Sequence, residues 1–317
     1  MPLKIGMCFS RRFEGSDPLV HIGKKLPVYL RLLELCQERG WQVFILTRRT
    51  YEGDGIFNGV WYFSSGSFIR WEKSVKIDLV YDRVAGMKFP PEHDSAMVVV
   101  NRRDFKFVCY NKWLAYRKLG HLMAKTYWVG ERKNLPGVLD QIKTDWVVLK
   151  PHNGMKGIGI FIGPKEKALA FEFTKKKIYF QYIAQEFVDT SAGIPGIVRG
   201  QHDLRVAVAN GEAVWSHVRT PPPGDFRANV AQGGSIKELG CAQLPSSIKK
   251  IVSQIATRFN QKYDNPIYSI DFGMGEDGPL IFELNDQIGF PTWEMKARET
   301  FLQAHIKNFA MKLKDLS

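Results

Sequence analysis

Asp271, Glu283 and Asn285 are the residues of this 317-residue sequence whose types and spacing most directly imply chemistry. They belong to two short apolar runs, residues 267–272 and 280–284, on either side of a turn-rich segment, which is a hairpin pattern. With Glu276-Asp277-Gly278 as a three-residue loop and Gly278 in the left-handed position, Gly275 pairs with Pro279 and Asp271 falls opposite Glu283. Asn285 lies two residues on and shares the face of Glu283. Two carboxylates and an amide oxygen then converge on one side of a sheet otherwise built of Ile, Phe and Leu. Adjacent carboxylates repel and lose hydration, so such a group usually gathers a cation. An all-oxygen set with few protein ligands suits Mg²⁺, which shares its shell with water and phosphate. The alternative is a hairpin whose acidic residues simply face water.

A second candidate is Pro151-His152-Asn153-Gly154-Met155-Lys156-Gly157-Ile158-Gly159-Ile160. Three glycines and a lysine between strand-like runs make a loop able to wrap a phosphate with backbone N–H groups. It lacks the lysine–serine/threonine ending of the Walker motif, and a Gly-rich loop without a ligand is the alternative. Residues 221–234 are too polar and too broken for regular structure, and a loop of that length is usually functional or mobile.

The elements that must position these residues follow from periodicity. Strand (3–9), amphipathic helix (26–39) and strand (41–46) open a parallel α/β unit, to which strands at 60–63, 76–81 and 97–101 are added. A helix at 111–119, strands at 126–129 and 146–150 around a short helix (134–143), and a strand at 179–188 come next. Residues 203–209 and 212–219 flank Asn210-Gly211, a strong two-residue hairpin signal. Core-facing helices are expected at 246–263 and 293–316.

Composition narrows the class. The hydrophobic and charged fractions, 44% and 24%, are those of a globular protein. A formal charge of +13 favours anionic partners, but the basic residues form short scattered clusters with no nucleic-acid motif, so nucleic acid is not expected as a partner. Cys8, Cys36, Cys109 and Cys241 are too far apart for a zinc knuckle or a dense disulfide framework, which suggests a reducing cytoplasm. No apolar run reaches membrane-spanning length and no signal peptide is visible, so neither a membrane nor secretion is expected.

Taken together, the order of motifs resembles the ATP-grasp superfamily, in its branch of carboxylate–amine ligases that includes RimK-type glutamate ligases and glutathione synthetase. The likeness covers residues 101 to the C-terminus. It rests on Gly224-Asp225-Phe226-Arg227-Ala228-Asn229-Val230 followed by Gly233-Gly234, with Asp203-Leu204-Arg205 before it and Asp271, Glu283-Leu284-Asn285 after it. The resemblance implies an α/β and α+β protein. A small parallel α/β domain (1–100) would precede two α+β halves that clamp ATP, a central subdomain (101–188) and a C-terminal one (189–317).

At matching positions the resemblance implies that Lys112 and Lys150 contact ATP phosphates, with Asn153, Gly154, Lys156, Gly157 and Gly159 in the loop above them. Gln185, Glu186, Phe187 and Val188 would form the hinge, the backbone of Glu186 and Val188 meeting the adenine edge. Asp271, Glu283 and Asn285 would hold two Mg²⁺ ions, or Mn²⁺ in their place, while Arg205, Arg227 and Asn229 steady the transferred phosphate. Asn111 departs from the acidic residue frequent at its position, and Met155-Lys156 adds bulk and charge to the loop.

The implied activity joins a small-molecule or peptide carboxylate to an amine through an acyl phosphate, releasing ADP and phosphate, with a homodimer or homotetramer as the candidate assembly. Two rivals from other classes are a kinase on the same fold and a nucleotide-binding regulatory protein without turnover. Ligase is preferred to kinase here by family likeness alone.

Overall fold

The computed structural model describes residues 2–10, 15, 17–84, 93–154, 157–174, 181–228 and 232–314; Lys156 and Asn229 fall outside them. The expected opening unit is present: β1 (Lys4–Phe9), α1 (Leu26–Glu38) and β2 (Gln42–Thr47), with β2 parallel to β1. Helix α1 starts with a proline in its first turn, where no N–H partner is lost, and buries Val28, Leu32, Leu33 and Cys36 along one stripe. β3 (Val60–Ser64) and β4 (Ser67–Trp71) are joined through Ser65 and Gly66, both at positive φ. β5 (Leu79–Asp82) and β6 (Val98–Val100) complete a sheet of order β4-β3-β2-β1-β5-β6.

This sheet is parallel from β2 to β6 but antiparallel at β3 and β4. The purely parallel unit expected from the sequence therefore carries an antiparallel edge, because a two-residue turn can join only antiparallel neighbours. The single strand expected over 76–81 divides between β5 and Val75–Lys76, which belongs to a separate three-stranded sheet.

The middle of the chain builds an antiparallel sheet from β7 (Thr126–Gly130), β8 (Trp146–Pro151), β9 (Phe161–Pro164) and β10 (Tyr182–Glu186), in the order β7-β10-β8-β9. The last sheet contains β11 (Asp203–Ala209), β12 (Glu212–Thr220), β13 (Ser235–Leu239), β14 (Tyr268–Gly275) and β15 (Gly278–Asn285). Its order is β13-β12-β11-β14-β15, antiparallel throughout. Asn210 and Gly211, at φ 54° and 84°, close the β11–β12 hairpin as their types require.

Among the described residues four more helices of at least eight residues accompany these sheets: α2 (Arg103–Tyr110), α3 (Lys112–Leu119), α4 (Ser246–Tyr263) and α5 (Arg298–Leu313). Helices α2 and α3 are separated by Asn111, whose Oδ1 accepts from Leu114 N at 3.0 Å and caps α3. Ile248, Val252, Ile255 and Phe259 of α4 pack with Phe105 of α2 on one face of the last sheet. Helix α5 begins at Arg298, five residues later than its apolar pattern suggests. It leaves its neighbours in sequence and packs Phe301, Leu302, Ile306 and Phe309 with Ile5, Val28 and Leu32 of the first unit. Strands β4 and β13 and helix α2 are too short to be recognised by periodicity.

Candidate active site

The β14–β15 hairpin places Asp271 opposite Glu283, by a different route from the expected one. Gly275 pairs with Gly278 and Met274 with Pro279, so the ladder starts one residue earlier than a three-residue loop allows. A register shift between Asp271 and Phe272 then absorbs one residue and restores the Asp271–Glu283 pair. Gly273 is required beside this irregularity. A Cβ there would lie 2.0 Å from the Phe282 ring, which instead lies across the bare backbone. Asn285 shares the face, its Nδ2 lying 3.4 Å from Asp271 Oδ2.

The buried side of this face is dominated by arginine. Arg205 holds Asp271 through Nε and Nη2, both at 2.6 Å, and Arg219 Nη2 donates to the same carboxylate at 2.8 Å. Arg219 also grips Asp203 in a bidentate pair at 2.6 and 2.7 Å. Burial opposes ionisation of Asp271, but the two guanidinium groups override it and hold the carboxyl below its ordinary range. His217, opposite Arg205 on β12, is driven down to about 3 by burial and by Arg205 and Arg219, so it stays neutral.

Sequence reasoning missed Arg219 because a bulge intervenes. Counting back from the Asn210-Gly211 turn without it sets Asp203 opposite Val218. A shift between Ala207 and Val208 moves the partner to Arg219. Nothing in the residue types announces this shift.

Residues of the middle sheet and the last sheet together line an open cleft. Lys112, Lys150, Gln185, Glu186, Phe187, Val188, Arg227, Asp271 and Glu283 all line it, so most of the residues singled out from the sequence converge. Lys112, at the start of α3, donates to Gly154 O at 2.6 Å and lies 3.1 Å from Glu283 Oε1. Lys150, at the end of β8, donates to Gln185 Oε1 at 2.9 Å. Burial, reinforced by Lys112 and opposed by Glu283, lowers its pKa from 10.5 to about 8. Asn153 reaches Tyr110 OH at 3.0 Å, and Gly157 and Gly159 each take φ 72°, a conformation that favours glycine.

Part of the cleft lining is apolar. Val148, Ile160, Ile162 and Phe282 line it, and Phe226 meets Phe187 and Trp146 at ring distances of 5.6 and 5.1 Å. Glu186 N donates to Lys125 O and its carboxylate accepts from Lys143 N, so neither group is available to a ligand there. Val188 N–H has no hydrogen-bond partner among the described residues. Arg227 differs from expectation: its guanidinium turns back onto Asp225, with Nη2 at 2.7 Å, instead of joining Arg205. The short spacing of Asp225 and Arg227 along the loop makes that pair local and easy to form.

The donor set of this face is all oxygen, the chemistry that suits Mg²⁺. Asp271, Glu283 and the amide of Asn285 share one face; of the about four bonds a carboxylate accepts, the arginines take three on Asp271 and Asn285 Nδ2 the fourth. Open oxygens are those of Glu283 and the Asn285 amide, and Asp271 would join them by releasing Asn285, a donor set that fits a hard cation. Among the described residues no three His, Cys, Asp or Glu side chains gather as a metal-binding group, so the amide is needed to complete the set.

Comparison with known proteins agrees with this geometry. Residues 107–307 match the RimK-like ATP-grasp domain. The chain is 26% identical over 266 residues to a glutathione synthetase of Prochlorococcus marinus, covering 78% of this chain and 82% of that protein. It is 27% identical over 153 residues to a probable alpha-L-glutamate ligase of Shewanella halifaxensis, covering 48% of this chain and 30% of that one. Among solved structures, D-alanyl-alanine synthetase A from Vibrio cholerae superposes with a TM-score of 0.67 at 13% identity, over 98% of both chains. A RimK domain protein from Sphaerobacter thermophilus does so with 0.59 at 14%, over 97% of this chain and 99% of that one. At such identities the structures establish the fold, and the domain match spans well over half of the sequence. The chain belongs to the RimK-like ATP-grasp family.

Proposed function

We propose that the protein is an ATP-dependent ligase that joins a carboxylate to an amine through an acyl phosphate. The observation that carries this reading is the cleft itself, which brings two buried lysines, a metal-suited hairpin and an apolar, aromatic lining together. The aromatic lining suits a purine ring, and the free N–H of Val188 supplies a donor for its edge. Lys112 and Lys150 supply positive charge for the phosphates, and Lys150 gains most, since an anion reverses the penalty that burial imposes on it. Mg²⁺ held by Asp271, Glu283 and Asn285 would offset phosphate charge during transfer. Arg205, fixed by Asp271, presents its guanidinium beside that point, and Arg227 could join it only by leaving Asp225.

The reaction follows from carboxylate chemistry. A carboxylate oxygen is a poor leaving group; transfer of the γ-phosphoryl group to it yields ADP and an acyl phosphate. The amine then attacks the carbonyl carbon, phosphate departs, and the nitrogen loses a proton. Phosphoryl transfer requires positioning and charge neutralisation, which these residues provide without a protein nucleophile. Names of the relatives favour amino-acid or peptide substrates, and the same class is proposed here. ADP release screened over amino acids, short peptides and carboxylates tests the reading. With the correct carboxylate, hydroxylamine replacing the amine should yield a hydroxamate. A stable phosphorylated product without hydroxamate would make the protein a kinase, and ATP binding without ADP release a regulatory protein.

A further inference from the structure

Lys106 is buried and does not line the nucleotide cleft. From α2 it reaches the end of β5, where it donates to the Asp82 carboxylate and to Val84 O at 3.0 Å. Asp286 Oδ2 lies 3.7 Å from the same ammonium. Among the described residues Lys106 is the sole ion-pair partner of both acids. Each acid accepts one further bond, Asp82 from Val84 N at 2.8 Å and Asp286 from Gln287 Nε2 at 3.0 Å, and neither of these brings a charge. One cation for two carboxylates out of water is a poor arrangement for stability, because even a balanced buried pair returns little beyond its desolvation cost.

The cluster holds the chain where it leaves the metal-suited hairpin. Asn285 is the last residue of β15, paired with Ser269, and the ladder ends there. The three residues that follow are each fastened to the end of the first sheet or to α2. Asp286 meets Lys106 through its carboxylate and Asn101 Nδ2 through its carbonyl, the latter at 3.3 Å. Gln287 Nε2 donates to Asp82 O at 2.8 Å, and Ile288 O accepts from Arg83 Nη2 at 2.8 Å. Asn101 also exchanges two hydrogen bonds with Ile267, just before β14, at 2.5 and 2.7 Å. Both strands of the hairpin are thus held at their open end by residues 82–106. The side chain of Asn285 goes to Asp271 and that of Asp286 to Lys106, so fixing the second fixes the backbone from which the first projects.

We infer that Lys106 is a positioning residue for the metal set: by holding Asp286 it keeps the amide of Asn285 where a cation shared with phosphate needs it. The orientation of a metal ligand is set by the groups behind it, and losing one of these typically costs about 10- to 100-fold in metal affinity. Residues at the end of the first sheet then contribute to metal binding without touching the ion. The surplus of acid over base around Lys106 serves geometry in place of stability. Taking the cation as the Mg²⁺ that accompanies ATP rests on the proposed function.

The test is calorimetric titration of the full chain with a non-hydrolysable ATP analogue, once with Mg²⁺ and once with EDTA; the ratio of the two affinities is the quantity read. Lys106→Met alone leaves two buried carboxylates without a cation and endangers the fold, so the working variant is Lys106→Met/Asp82→Asn, which removes one acid together with the base. Its affinity in EDTA should match that of the unaltered chain, while its gain from Mg²⁺ should fall about 10- to 100-fold. Asp82→Asn alone, which leaves Lys106 to Asp286, should keep the gain. Asp286→Ala leaves Lys106 paired with Asp82, so it should fold and lose the gain as the double variant does. Neither change should add anything to Asn285→Ala, because both act through that amide.

Variants that unfold in less urea yet keep the Mg²⁺ gain would make the cluster a structural joint and overturn the inference. So would a loss that appears equally in EDTA, or one that persists on top of Asn285→Ala, which would make Asp286 a ligand in its own right. An unaltered chain whose affinity ignores Mg²⁺ would remove the metal set itself and this inference with it. A gain that depends on Lys106, in a protein that releases no ADP with any substrate, would keep the positioning role and remove the ligase reading.

Discussion

Lys150 carries two opposite pH dependences. Burial brings its pKa from 10.5 to about 8, next to Lys112, Glu283, Gln185 Oε1 and the Phe282 carbonyl. Between those values the unfolded chain holds the proton and the folded chain does not, so this group makes the fold more stable as pH rises from about 8 towards 10.5. A phosphate, by contrast, binds the charged form. ATP affinity is expected to be full below about pH 8 and to fall as pH climbs beyond it, the reverse of the stability trend. Calorimetric titration of ATP and urea denaturation over this range would show both slopes, and Lys150→Met should remove them together. Glu283 faces Lys112 and is only partly buried, so Glu283→Ala should leave the fold intact while turnover drops by at least about 100-fold, the scale of losing one preorganised electrostatic group. Near-normal activity of a well-folded variant would exclude its role.

At the scale of elements, two hairpins set the site and both depend on a local irregularity. In β14–β15 the register shift restores the Asp271–Glu283 pair, and the missing side chain at Gly273 leaves room for Phe282. Gly273→Ala must push that ring away. It should cost about 1–3 kcal/mol, as overpacking does, and weaken nucleotide binding because Phe282 lines the cleft. Unchanged urea midpoint and ATP affinity would show that the strand yields freely. In β11–β12 the shift after Ala207 brings Arg219 opposite Asp203 and joins both strands to β14 through Asp271. Arg219→Met therefore leaves two buried carboxylates short of a partner and should destabilise by about 3–5 kcal/mol, measured by denaturation.

At the scale of the whole molecule, α5 ties the two ends of the chain together. Phe301, Leu302, Ile306, Phe309 and Leu313 are all buried in a cluster that joins α1 and the first sheet to Trp215 of β12. His305 adds a buried link, its Nε2 3.2 Å from Tyr81 OH on β5. Each such apolar side chain contributes about 1.5–3 kcal/mol. Truncation before Arg298 removes five of them, comparable with a typical total stability of about 5–15 kcal/mol. The truncated chain should fail to fold, as judged by loss of a cooperative unfolding transition. Leu302→Ala, a milder version, should cost about 2–5 kcal/mol.

Local information in the chain was enough for the strand–helix–strand opening, the Asn210-Gly211 turn, helix α4 and the sharing of one face by Asp271, Glu283 and Asn285. Each depends on residue type and short spacing: apolar periodicity, a turn that demands positive φ, alternation along a strand. The long-range placements were another matter. Arg219 meets Asp203 and Asp271 only because a bulge slides one strand by a residue. Arg227 folds onto Asp225, and Arg83 meets Phe9, His21 and Tyr29, all far from it in sequence, around one cavity. Helix α5 returns to the first sheet because its apolar stripe finds a complementary face there, across most of the chain's length. A residue pattern states which face of an element is apolar; which other face it will cover depends on the packing of all the elements together, and that is where the charges around the cleft acquire their partners.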